Sequence, residues 1–361
     1  MDNTITNRQM VFILFLTLTS ITIITIPKTI AEKAGVGGWA TLLLTALMFG
    51  LLVMVIASLN SMYRGKMLYD YSRELLGKAF AVIFAVFYSL YFLMVSAYLC
   101  TSMASMLKAN FLLETPLWAF VLVSLPVFGY VAYKGVTNIA RLFEFYGVIF
   151  ILAMTVVHGV MLYQGETDNI RPLFVPSETG KYLAAVKDTI IGFLGIEVLT
   201  ITPFSLKRSK KAPRVAFLTL IAVGFAYVLV VETSIMMVGI HEITFYEYPL
   251  INAIRQIVLH YIEFLRRVDI VYLTLGVMGI VAGISMVYLA IVEYVCRLFP
   301  RAARWLVVVI VGFAIFLLSL EGFGILDFRH IAVQLITYGG LLAAGVIPVS
   351  LWIVAKVKRH G

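Results

Sequence analysis

Ten apolar runs, each about as long as a helix needs to cross a bilayer, take up most of this chain. They lie at roughly 9–31, 38–59, 79–107, 116–133, 140–163, 187–206, 214–239, 268–295, 304–320 and 331–354. A hydrocarbon core of ~30 Å takes about 20 residues at 1.5 Å per residue. In hydrocarbon every backbone polar group needs an internal partner, so only helices or closed barrels span. The short segments of alternating polarity that a barrel requires are absent from this sequence. With 62% of its 361 residues hydrophobic and 13% charged, the chain has too little polar surface to face water as a globule. It reads as an all-α polytopic membrane protein with a single transmembrane domain over 1–361.

Lysine and arginine placement gives an orientation. With the N-terminus inside, the inner segments carry 18 of the 28 basic residues, and the outer loops hold the rest among acids such as Glu166, Asp168 and Glu178. The positive-inside rule then predicts both termini in the cytoplasm. The net charge of +9 is explained by this asymmetry and does not call for nucleic acid. The inner cluster Lys207-Arg208-Ser209-Lys210-Lys211 suits anionic lipid headgroups. Three connections are long. The inner loop 60–78 is expected to hold a short surface helix, 164–186 is an outer loop, and 240–267 contains an amphipathic segment starting at Pro249 that fits a helix over the outer mouth. Thr6 and Gln9 have capping-box spacing, with Ile5 and Met10 as a hydrophobic staple, so the first helix is predicted to begin near Asn7.

The first and sixth runs are the ones interrupted midway. The first carries Thr17, Thr19, Ser20, Thr22 and Thr25, and the sixth carries Gly192, Gly195 and Glu197. Glycine is about 1 kcal/mol worse than alanine in a helix, and a central carboxylate costs roughly 2.5–3.5 kcal/mol on insertion scales. Such penalties in matching places of two five-helix halves point to broken helices lining a solute site. If the first helix breaks near Ser20–Thr22, free N–H groups of its second part favour a carboxylate. Glu197 then suits an ammonium group, and the pair would recognise an α-amino acid. A structural alternative has Glu197 pinning the unwound strand to a neighbouring helix. The candidate ligand-binding residues are Thr19, Ser20, Ile21, Thr22, Ile23, Phe193, Leu194, Gly195, Ile196 and Glu197, with Tyr91, Tyr98 and Tyr272 shaping the pocket.

Enzyme signatures are missing: the chain has no HExxH, no phosphate loop and no GxSxG. Its histidines are scattered, with His158, His241 and His330 placed near outer ends or loops, and no metal or cofactor is indicated. Cys100 and Cys296 read as small buried residues. Glu232 is a second intramembrane acid, toward an outer end. Glu293 and Arg297 have the spacing of a helical ion pair, and Asp269 is expected at the interface near Arg266.

Several patterns occur together in a characteristic order. Ile5-Thr6-Asn7-Arg8-Gln9 is followed by Ile26-Pro27, Ala34-Gly35 and Gly38-Trp39, then Gly135 and Arg141-Leu142-Phe143-Glu144. Asn169-Ile170-Arg171-Pro172-Leu173 precedes Gly180, and Gly195-Ile196-Glu197-Val198 precedes Pro203. Over essentially its whole length the chain resembles the B subunits of spore germinant receptors, within the amino acid–polyamine–organocation superfamily. The resemblance implies a LeuT-like fold of ten helices, two inverted five-helix halves with the first and sixth helices broken. It implies nutrient sensing in the spore inner membrane, a small solute such as an amino acid bound between residues 20–24 and 193–197, and A and C partner subunits. An amino acid or cation transporter, or a pore-forming subunit, would use the same scaffold. Ser20 and Thr22 stand where relatives tend to have glycines, which bears on how far the first helix unwinds. The fifth-span lysine that some superfamily relatives use for proton coupling is missing.

Overall fold

The computed structural model describes residues 4–20, 22–204, 211–257, 268–324 and 326–360. The first half begins with α1 (Asn7–Thr19) and α2 (Thr22–Lys33), two parts of one span bent by 55° at the break between them. It continues through α3 (Gly38–Met62), the short α4 (Leu68–Leu76), α5 (Lys78–Asn110), α6 (Leu117–Lys134) and α7 (Val136–Gln164). The second half opens with α8 (Thr179–Phe193), which gives way to a 3-10 stretch, Ile196–Ile201. It goes on with α9 (Ala212–Val238), the short α10 (Pro249–Arg255), α11 (Val268–Leu298) and α12 (Arg304–Gly324). The last span is α13 (Leu326–Leu341), a π-turn over Leu342–Val346, and α14 (Ile347–His360).

Among the described residues seven helices are long and apolar enough to cross a membrane, eight with the bent α1–α2 pair, and Arg304–Leu320 is a shorter apolar helix. The predicted sixth run departs most from the expected shape. Its helix begins at Thr179 rather than 187 and stops at Phe193, and residues 194–204 are not α-helical.

The start of α1 is set by its sequence. The Thr6 hydroxyl accepts from the Gln9 amide at 3.2 Å, and the Gln9 side chain accepts from the Thr6 amide at 3.0 Å, satisfying orphan donors of the first turn. Ile5 and Met10 are both buried beside this cap. From Phe12 to Thr19 every residue of α1 is buried, as expected of a helix apolar all round. It stands at the centre, packed against α7, α9 and α11. The outer helices show the opposite pattern, with Leu90, Val123 and Phe145 at 63%, 74% and 72% exposure. A water-soluble surface rarely carries so much apolar area, and these faces belong to lipid.

Several connections differ in detail from expectation. The short helix expected in 60–78 exists as α4, yet Leu68, Tyr71 and Ser72 are fully buried as it packs on α5 and α14. The short helix α10 buries Leu250, Ile251 and Ile254 against α9, α2 and α11. The expected Glu293–Arg297 pair is not formed. Glu293 instead meets Arg304 at 2.8 Å and Arg297 meets Asp70 at 2.8 Å, because each side chain reaches a neighbouring element. His158, toward the end of α7, is fully buried, with Nδ1 2.8 Å from the Thr233 hydroxyl and Nε2 3.3 Å from that of Tyr272. The Asp269–Arg266 expectation and the cluster 207–210 lie outside the described residues and side chains.

Candidate functional site

The two helix breaks face each other. α1 ends at Thr19 because Ser20 leaves helical geometry (φ −49°, ψ −92°), with its hydroxyl donating back to the Thr17 carbonyl at 3.1 Å. Ser20 lies directly against α11, where any Cβ on Gly283 would sit 2.8 Å from that of Ser20. In the sixth span Leu194 turns extended, and Gly195 takes φ +124°, a region open to glycine and closed to L side chains. Leu194 and Gly195 together end α8.

Backbone groups freed at each break find side-chain partners. The carbonyls of Leu18 and Gly192 belong to the last turns of α1 and α8 and have no intrahelical donor. The Tyr227 hydroxyl, on α9, lies 2.6 Å from the first and 2.8 Å from the second. Its single proton is shared between them, and its ring packs edge-on against Phe193 at 5.2 Å. Asn60, at the end of α3, donates to the carbonyls of Leu199 (2.6 Å) and Thr202 (3.3 Å). The Tyr294 hydroxyl donates to that of Thr200 at 2.8 Å, and Thr200 donates to the Glu197 carbonyl. Tyr294 stacks on Tyr88, whose hydroxyl donates to Ala343 in the π-turn at 2.6 Å.

Glu197 is 1% exposed and both of its oxygens are engaged. Oε1 accepts from the Tyr91 hydroxyl at 2.7 Å, and Oε2 accepts from the Gly195 amide at 2.8 Å. The carboxyl therefore ties the unwound strand to α5 and closes its own turn. This is the pinning arrangement considered as the structural alternative from the sequence.

Between the breaks lies a cavity of about 80 Å³. Of the sequence-predicted residues, Ser20, Thr22, Leu194, Gly195, Glu197, Tyr91 and Tyr98 line it. Thr19, Ile23, Phe193 and Ile196 are buried behind the lining, and Ile21 lies outside the described residues. Tyr272 sits apart, against His158 and Phe150. Glu232 also lies off the cavity, its carboxylate oxygens buried without a hydrogen-bond partner among the described residues.

Three residues that contribute to the cavity are not among the candidate ligand-binding residues read from the sequence, although Thr17 is among the polar interruptions of the first run. Asp188 lines the cavity from α8 and has no ion-pair partner among the described residues. It falls at the edge of the predicted span 187–206, one turn before Gly192 on the same helical face. Thr29 extends the hydroxyl row of Thr22 and Thr25 along α2. Thr17 is 7% exposed and its buried hydroxyl has no hydrogen-bond partner among the described residues, so the cavity wall holds a polar group they leave unsatisfied. Such a group is costly to leave unpaired.

Tyr227→Phe should loosen both breaks together. Two carbonyls lose their shared donor, a loss of about 1–3 kcal/mol. Amide hydrogen exchange should rise at residues flanking Ser20 and Gly195 alike; a rise on one side only would contradict the shared tie.

Comparison with known proteins agrees with this architecture. Mhp1, a nucleobase–cation symport-1 family transporter solved closed with bromovinylhydantoin bound, superposes with a TM-score of 0.68 over 96% of this chain and 78% of its own, at 11% identity. MhsT in complex with L-phenylalanine gives 0.64 over 95% and 97%, at 14% identity. At such identities the likeness is one of fold, and the fold is LeuT-like, with the first and sixth helices broken. Spore germination protein A2 of Bacillus subtilis (strain 168) is 28% identical over 222 residues, 60% of this chain and 59% of that protein. Spore germination protein YndE of the same organism is 27% identical over 236 residues, 65% and 64%, and protein B2 is 25% identical over 218 residues, 58% of each. The chain thus spans about three-fifths of the length of these curated relatives. The model of the family described as "Spore germination protein" matches residues 4–322, and this multi-pass membrane chain belongs to that family.

Proposed function

We propose that this chain is a nutrient-sensing subunit of a spore germinant receptor, binding a small amino acid between its two helix breaks. The observation that carries this reading is the cavity lined by both Asp188, a carboxylate with no ion-pair partner among the described residues, and Thr17, whose buried hydroxyl has no hydrogen-bond partner among them. Glu197 already has two donors from the protein, so the ammonium group of the solute falls to Asp188. The carboxylate of the solute falls to the start of α2, where free N–H groups and the positive end of the helix dipole favour an anion. Size limits the choice. A water needs about 10–15 Å³ of such space, so 80 Å³ takes about six non-hydrogen atoms, the size of glycine or alanine.

Binding acts by stabilising one arrangement of the two breaks over another, since a ligand shifts an equilibrium only through differential affinity. The shift passes to partner A and C subunits in the spore inner membrane, with both termini of this chain cytoplasmic. Among the curated relatives, the germination proteins of Bacillus support this role over an enzyme, and the transporter neighbours support a solute-sized site.

The test is binding to the purified chain, read as a melting-temperature shift across glycine, alanine and larger amino acids. Asp188→Asn should weaken binding of the small amino acids about 10- to 100-fold, the worth of a hydrogen bond to a charged group. Unchanged affinity would sink the assignment. Uptake of the same labelled solute into proteoliposomes containing this chain alone would favour a transporter instead.

A further inference from the structure

Two adjoining cavities lie away from the breaks. The first is an apolar groove of about 590 Å³ between α6 and α12, open to the surroundings of the bundle. Its walls include Leu122, Pro126 and Tyr130 on one side and Trp305, Val309 and Phe316 on the other. Its floor is Tyr288 of α11, whose hydroxyl donates to the Val308 carbonyl at 2.6 Å. From Leu122 to Tyr133, or from Trp305 to Phe316, the groove runs eleven helical steps, roughly 16 Å. That is about half of the ~30 Å hydrocarbon core, the depth of one leaflet. Tyr130, Tyr133 and Trp305 are exposed at one end of it, where aromatic rings mark the headgroup level.

The second cavity, of about 400 Å³, starts where the groove ends. Tyr133 lines both, and Arg304, which lines the second, precedes Trp305 of the first. Three cations line this cavity, Lys134, Arg297 and Arg304, with one acid, Glu293. Arg304 bonds Glu293 at 2.8 Å and the carbonyls of Ala132 and Tyr133 at 3.1 and 3.2 Å, using three of its five donors. Arg297 uses one on Asp70 at 2.8 Å. Lys134 has no carboxylate within ion-pair distance among the described residues, and its ammonium lies 5.1 Å from the Tyr130 ring centre.

We infer that these cavities form one binding site for an anionic phospholipid, with an acyl chain in the α6–α12 groove and the phosphate headgroup between Lys134, Arg297 and Arg304. The apolar depth matches one leaflet, and the cations sit at its polar end. Neither cavity alone specifies a lipid; their continuity does.

Native mass spectrometry of the detergent-purified chain, with phosphatidylglycerol and phosphatidylcholine of identical chains, tests this. Phosphatidylglycerol should bind at least tenfold more tightly. Lys134→Ala should cut its binding about fivefold, the worth of one lysine at an anionic surface, and leave phosphatidylcholine unchanged. Val309→Trp, at an exposed groove position, should reduce both lipids with little change in melting temperature. Equal binding of the two lipids, or loss of neither in the two variants, overturns the proposal. Inorganic phosphate stabilising the chain as well as phosphatidylglycerol, with Val309→Trp silent, would make this a free-anion site and overturn it too. A photoreactive residue at 309 crosslinking to a partner polypeptide while the groove stays lipid-free would make it a helix-docking face, which also overturns it.

Discussion

Glu197→Ala is expected to destabilise the protein by about 2–6 kcal/mol, because it strips two buried donors of their acceptor at once. The Tyr91 hydroxyl and the Gly195 amide both end on this carboxyl, 2.7 and 2.8 Å away, and each buried donor left unmade costs about 1–3 kcal/mol. Against a total stability of order 5–15 kcal/mol, that is a large fraction. Glu197→Gln provides the control. Its carbonyl oxygen keeps the Gly195 amide, and its NH₂ group donates to the tyrosine oxygen, so most of the loss should be recovered. Thermal melting in detergent reads both variants. An alanine variant that melts with the parent would show that the unwound strand is held by something else.

Gly195→Ala should be nearly as damaging, for a different reason. At φ +124° an L side chain is strained wherever it stands, and here its Cβ would also lie 3.3 Å from Thr17 Cγ2 and 3.4 Å from Leu18 Cδ2. Backbone strain of this kind costs about 1–3 kcal/mol. Relief by rotating φ would swing the Gly195 amide away from Glu197 and add the loss of that bond. The effect should therefore appear both as a lower melting temperature and as a weaker response to amino acids. Gly180→Ala, in the first turn of α8 with nothing within 4 Å of the new Cβ, should be neutral or slightly stabilising in the same assay. Equal behaviour of the two variants would refute the special role of Gly195.

The sequence makes the breaks visible because each is expensive in hydrocarbon. A carboxylate beside Gly195 in an apolar run has few explanations, and a row of hydroxyls around Ser20 competes with the helix for its own carbonyls. The capping box of Thr6 and Gln9 is similarly readable, since its chemistry is local. What stays hidden is whatever depends on a partner far along the chain. Asn60 looks like the first residue of a polar loop until the end of the sixth span arrives beside it. Tyr227 looks like one more aromatic in an apolar helix until two carbonyl ends converge on its hydroxyl. Asp188 reads as an edge residue because hydropathy sets the start of its span at 187, while the helix itself begins at Thr179. Periodicity locates a face; it does not say which other face comes to meet it.

The tie made by Tyr227 has a dynamic consequence. One hydrogen serving two acceptors makes them rivals: as the Leu18 carbonyl draws closer, the bond to Gly192 weakens, and the reverse holds as well. The ends of α1 and α8 thus sit on a see-saw whose pivot is a phenol fixed in α9. A solute that pulled one half-helix inward would tip the hydroxyl toward it and release the other, so opposite movements of the two spans are linked through one side chain.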